Sequence, residues 1–170
     1  MSTALAQSPD SGISVETSIE AGDWPDIAEV LDRAAMEAWS VAGDSNPAAV
    51  AVALTDDEGI RQLNRDFRQK DRATDVLSFP AGEPLLPEDE AFLGDIALAL
   101  EFIRREADLE NKRFEDHLSH LFVHGLLHLI GYDHETAAEA AVMENLERDI
   151  LARMEIGDPY AGRELDSERQ

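Results

Sequence analysis

The chain contains no cysteine. Disulfides, thiolate metal ligands and cysteine nucleophiles are therefore excluded, and the composition is compatible with a reducing cytosol. No apolar run approaches the roughly 20 residues needed to span a bilayer. The opening residues, MSTALAQSPDSG, lack a basic n-region and a long apolar core, so no signal peptide is expected and the expected location is the cytoplasm. Basic residues are also scarce. Lys and Arg number 14 against 37 Asp and Glu, for a formal net charge of −23. A protein this acidic repels nucleic acid at long range, so an RNA or DNA partner requires locally concentrated positive charge.

Such concentration exists. The segment RQLNRDFRQKDR (61–72) carries Arg61, Arg65, Arg68, Lys70 and Arg72, and a second cluster comprises Arg104, Arg105, Lys112 and Arg113. Charge alone leaves two readings open: solvated helix faces, or a surface for a polyanion.

The 170 residues fit one domain, and an apolar content of 44% is enough for a packed core. Alternation in ISVETSIE (13–20) predicts a strand. A helix is expected from Asp23 or Trp24, ahead of Pro25, to about Val41. AAVAVALT (48–55) reads as a buried strand. Thr55 and Glu58 match a capping box opening a helix with Ile60, Leu63 and Phe67 on one side. DVLSFP (75–80) and LGDIALAL (93–100) read as strands, separated by an exposed acidic loop at 81–91. Helices are expected near 101–110, 113–130 and 135–154. The predicted fold class is α/β, with an α+β-like distribution of elements. It is a single domain with a four-stranded mixed sheet, five to six helices and a metal site at the end of a buried helix. Its expected span is 13–156, between a flexible tail at 1–12 and a polar tail at 157–170.

The metal site is read from HLSHLFVHGLLHLIGYDH (117–134). His120, His124 and His128 recur every four residues and share one helix face. The positions around them are apolar nearly all round, which predicts a buried helix. A single histidine in such a helix is usually hydrogen-bonded and nothing more. Several on one face disfavour each other's charged forms, and a divalent cation is the simplest shared partner. Imidazoles at i and i+4 reach one ion, Gly131 permits a turn, and His134 comes back to the same point. The spacing H-x3-H-x2-G-x2-H is that of metzincin metalloproteases. Three nitrogen ligands, His124, His128 and His134, leave a fourth position for water, the mark of a catalytic zinc site.

The glutamate of H-E-x-x-H is absent: Gly125 stands in its place. A peptidase of that type lacks its general base. A metal can still bring the pKa of bound water to about 7, and such a nucleophile then needs an electrophile held beside it. For a phosphodiester this means positive charge on the non-bridging oxygens, which arginine supplies in a planar, bidentate form.

Three segments, NRDFRQKDRATDVLSFP (64–80), LGDI (93–96) and HGLLHLIGYDH (124–134), together resemble the YbeY family of bacterial metal-dependent endoribonucleases, or rRNA maturation factors. The resemblance spans roughly residues 50–150 and shows no departure at the motif positions. It implies a small α/β fold and one zinc ion on His124, His128 and His134. It implies that Arg68 is the pocket arginine and that single-stranded RNA is the substrate. It further implies a role in maturing 16S rRNA 3′ ends and in ribosome quality control, with ribosomal components as partners. Two other functions share the motif: a non-enzymatic ribosome assembly factor with a structural metal, and a metallopeptidase.

Further residues have two readings each. Asp133 orients a ligand histidine or serves the turn. His120 lines the pocket or packs. Asp95 lies near the pocket mouth or ends a strand pairing. Ser78 bonds substrate or structure. Thr74 and Asp75 start a strand. Met143 fits the apolar face of the last helix.

Overall fold

The computed structural model describes residues 12–44, 46–82 and 91–161. In chain order the elements are β1 (Ile13–Ile19), α1 (Ala28–Ala42), β2 (Ala48–Thr55), α2 (Asp57–Arg68), β3 (Val76–Pro80), β4 (Ala91–Ala99), α3 (Leu100–Leu109), α4 (Phe114–Ile130) and α5 (Ala137–Arg153). The sheet order is β1-β2-β4-β3. β1, β2 and β4 run parallel, and β3 lies antiparallel on the edge beside β4. This is the four-stranded mixed sheet expected, with five helices.

The two sheet faces differ in depth of cover. Ala48, Val50, Val52 and Leu54 of β2 are buried with Ile96 and Leu98 of β4 in the main core, beneath α1, α4 and α5. The intervening Ala49, Ala51 and Ala53 are half-buried, because the opposite face carries only α2 and a small cluster of Ile60, Ala97 and Ala99. Alternate residues of a strand point to opposite faces, so this arrangement follows from the sequence AAVAVALT.

α4 is the central strut. Leu118, Phe122, Val123, Leu126 and Leu127 are fully buried, as a helix apolar all round requires. Burying one such side chain contributes about 1.5–3 kcal/mol. The helix ends at Gly131, whose φ of 127° lies in the region that favours glycine. The amides of Gly131 and Tyr132 both donate to the Leu127 carbonyl, closing the last turn.

Several expected boundaries shift for physical reasons. α1 starts at Ala28, not near Pro25, because Trp24 is held outside the helix. Its ring is buried, and its indole N–H donates to the Thr55 carbonyl at 3.0 Å. The expected Thr55–Glu58 capping box does not form. Thr55 is the last residue of β2, so the cap passes to Asp56, whose Oδ1 accepts from the Gly59 amide at 2.8 Å. A capping box occurs instead at the start of α5, between Thr136 and Glu139. Ala91 belongs to β4 rather than to the 81–91 loop, of which 83–90 lie outside the described residues, as do 1–11 of the expected N-terminal tail. The segment 157–161 is not the start of a tail: Pro159 is buried and Tyr160 reaches back onto α4 and α5. Among the described residues, no helix is long and apolar enough to cross a membrane.

Candidate active site

α4 and the turn after it bring His124, His128 and His134 together. One ring nitrogen from each lies within 4.8 Å of the other two, and the ring centroids are 4.7–5.3 Å apart. The 124–128 pair comes from one helical turn. His134 arrives because Gly131 reverses the chain, and the Asp133 carboxylate accepts from the His134 amide at 2.8 Å to hold the turn. Asp133 thus serves the turn, and it also borders the cleft.

The other ring nitrogens are already engaged. His128 Nδ1 lies 3.1 Å from the Tyr132 carbonyl, which can only accept, so the proton sits on Nδ1 and the Nε2 lone pair is free. His124 Nδ1 lies 2.8 Å from Glu147 Oε2, an arrangement that fixes the same tautomer. Burial, together with the neighbouring rings of His124 and His134, pushes the His128 pKa below its ordinary value. A histidine ligand must be neutral, so donor chemistry and protonation both suit an ion bound through nitrogen at roughly 2.0–2.1 Å.

Glu147 was not singled out from the sequence. It is fully buried on α5 and touches three partners. His120 Nε2 donates to its Oε1 at 2.9 Å, His124 approaches Oε2, and the Tyr160 hydroxyl donates to Oε1. Burial raises its pKa, but the hydrogen bonds and charges of His120 and His124 outweigh that and bring it down to about 2. A signal existed. Met143, Glu147, Ile150 and Leu151 share the buried face of α5, so Glu147 is an acid in an apolar stripe.

His120 is buried by this network while bordering the cleft. Its charged form is disfavoured by burial, an effect only partly opposed by Glu147. His117 Nε2 bonds Glu106 Oε1 at 2.9 Å. Glu106 in turn faces Asp75. Burial and the adjacent Glu106 carboxyl raise the Asp75 pKa to about 6.

A cleft of about 670 Å³ is lined by all three site histidines and also by Arg68, Ser78 and Asp75. Arg68 ends α2 and crosses the outer edge strand. One guanidinium N–H donates to the Ser78 carbonyl, and Cζ lies 5.2 Å from the Phe79 ring centroid. Ser78 is structural: its hydroxyl donates to the Gly125 carbonyl at 3.1 Å and ties β3 to α4. Asp95 is exposed opposite Phe79 on β4 and does not border the cleft. Met143 is core.

The same packing crowds the position of the missing glutamate. A Cβ on Gly125 would lie 3.0 Å from Ser78 Oγ and 3.4 Å from two carbons of Ile96. The position faces the β3–β4 sheet, where even a Cβ requires a neighbour to give way slightly.

Fold and site together define a small α/β protein whose cleft is lined by three histidines that could hold a metal ion and by an arginine. The family described as Endoribonuclease YbeY matches residues 14–155. The chain is 54% identical over 155 residues to Endoribonuclease YbeY of Rhodopseudomonas palustris (strain ATCC BAA-98 / CGA009), covering 88% of this chain and 82% of that one. It is 47% identical over 160 residues to Endoribonuclease YbeY of Chelativorans sp. (strain BNC1), covering 92% and 97%. Among solved structures, TM1509 from Thermotoga maritima is similar, with a TM-score of 0.52 and 26% identity over 82% of this chain and 91% of that one. The chain belongs to the YbeY family of endoribonucleases.

Proposed function

We propose that this chain is a zinc-dependent endoribonuclease specific for single-stranded RNA, acting in the cytoplasm with ribosomal components to mature the 16S rRNA 3′ end and to remove defective ribosomes. The observation that carries the reading is one cleft lined by three imidazoles whose ring nitrogens converge and by an arginine. His124, His128 and His134 would hold the ion. Zinc, when bound, supplies Lewis acidity and lowers the pKa of water at its open position.

The chain's own residues supply the rest. Glu147 and the Tyr132 carbonyl hold His124 and His128 in the ligating tautomer. Arg68 engages one N–H on Ser78, which leaves other donors of its planar fork for a phosphate oxygen. It would bind the scissile phosphodiester and stabilise charge that builds up on it. Gly125 supplies no carboxylate base, which disfavours a peptidase of the H-E-x-x-H type. His134 is exposed and the histidines border an open cleft, which favours a catalytic over a purely structural ion.

The test is cleavage of a single-stranded RNA by untagged protein, with and without chelator and with Arg68→Ala. Chelation should abolish cleavage, and Arg68→Ala should lower kcat about 10²–10³-fold. Arg68→Lys should recover little of the loss, because an ammonium lacks the planar fork. Undiminished cleavage after both treatments would place the activity elsewhere.

A further inference from the structure

The two basic clusters separate once partners are assigned. Arg105 pairs with Asp57, Lys112 with Glu110 and Arg113 with Glu115. Within 61–72, Arg61 pairs with Glu58 and Asp71, and Arg65 with Asp66. Arg68, Lys70 and Arg72 have no carboxylate partner among the described residues, and all three are exposed. In the second cluster only Arg104, over the Phe114 ring, also lacks a carboxylate partner among the described residues, so three of the four unpaired cations of these clusters follow one another where α2 ends, beginning with Arg68 at the cleft.

The backbone there is fixed. Gln69 caps α2 in the left-handed conformation, and the Lys70 amide donates to the Asn64 carbonyl at 3.1 Å. The side chain of Asn64, itself buried, donates to the Arg72 carbonyl at 3.0 Å. Lys70 and Arg72 are thus presented from a tied loop.

Immediately before these cations in the chain stands an exposed aromatic. Phe67 is 63% exposed, although the sequence places it with Ile60 and Leu63 on one helix side. Its ring meets Phe79 edge-on, with centroids 5.5 Å apart and planes inclined at 66°. Phe79 carries the Arg68 guanidinium. Phe67 is therefore held upright by Phe79 with much of its surface in water. Nothing in the core accounts for its exposure, and neither metal binding nor the phosphate contact uses it.

We infer that Phe67, braced by Phe79 at the same end of α2 that presents Arg68, Lys70 and Arg72, is a stacking platform for a nucleobase of single-stranded RNA next to the phosphate at Arg68. The inference rests on the endoribonuclease reading and adds a base-binding subsite to it. An aromatic face accepts any base, and surrounding cations take the phosphates on either side. Charge complementarity selects a polyanion over an acidic or neutral protein surface. A base held here by stacking must be unpaired, so the platform favours single strands over duplexes.

The zinc-loaded full chain is titrated against a fluorescently labelled single-stranded oligoadenylate, and against the same oligomer built with abasic nucleotides. Phe67→Leu should weaken oligoadenylate binding on the order of tenfold while leaving metal content and melting temperature unchanged. Phe67→Trp should keep the affinity and add a tryptophan emission that the oligomer quenches, against a background of the buried Trp24 and Trp39. Wild type and Phe67→Leu should bind the abasic oligomer alike. If wild type binds oligoadenylate and Phe67→Leu binds it equally well, the platform is refuted while the nuclease reading stands. If wild type neither binds nor cleaves RNA, the nuclease reading falls first and takes the platform with it.

Discussion

His117 and His120 lie on the same helix as His124 and His128, one or two turns earlier, yet the two pairs are connected in opposite senses. The inner pair engages Nε2: His117 on Glu106, His120 on Glu147. The outer pair engages Nδ1: His124 on Glu147, His128 on a backbone carbonyl. The inner rings are buried, and their Nδ1 atoms have no hydrogen-bond partner among the described residues. The outer rings are partly exposed and turn Nε2 toward His134 and the cleft. Equal spacing on a helix therefore does not make equal ligands. Which nitrogen the surrounding fold occupies decides which ring is a strut and which is free to bind.

The largest effect should come from exchanging the pairs' fates. His128→Ala should lose stoichiometric metal and reduce RNA cleavage by three orders of magnitude or more, whereas His117→Gln should retain full metal by elemental analysis. Loss of metal from His117→Gln would erase the distinction.

Glu147 joins the two pairs, so Glu147→Gln should weaken both at once. Metal affinity, measured by competition with a chromogenic chelator, should fall about 10–100-fold, as for other supports of ligand histidines. Unchanged affinity would mean that His124 needs no anionic brace.

The inner end of the cleft gives a pH test. With its pKa raised from 3.8 to about 6, Asp75 holds its proton more tightly in the folded state. Stability linked to this group is complete below the unfolded value and is lost as pH rises through about 6. Asp75→Asn should therefore melt higher than wild type at pH 7.5, by about 1–3 kcal/mol, and the advantage should vanish below pH 4. An advantage independent of pH would assign the effect to packing instead.

The smallest change is Tyr160→Phe, which removes one donor to Glu147. It should cost about 1 kcal/mol by denaturant titration and shift metal affinity only slightly.

Much of this arrangement was legible in the sequence. The strand AAVAVALT, the buried helix of α4 and the reversal at Gly131 follow from periodicity and from one conformationally free residue. The convergence of His124, His128 and His134 follows from i, i+4 spacing plus a turn of fixed length. Glu147 and Tyr160 did not emerge, because their partners are 13 to 40 residues away and no local pattern encodes a contact across that separation. The start of α1 and the Asp56 cap were missed for a related reason. Tertiary demands on Trp24 and Thr55 overrode plausible local signals.

Glu147 and Tyr160 also set a schedule. A polypeptide is made from its N-terminus, so the three site histidines leave the ribosome before the residues that fix them. Until α5 docks and 157–160 folds back, His120 and His124 have no carboxylate between them. A chain stalled before Glu147 would thus carry the histidine motif without its brace.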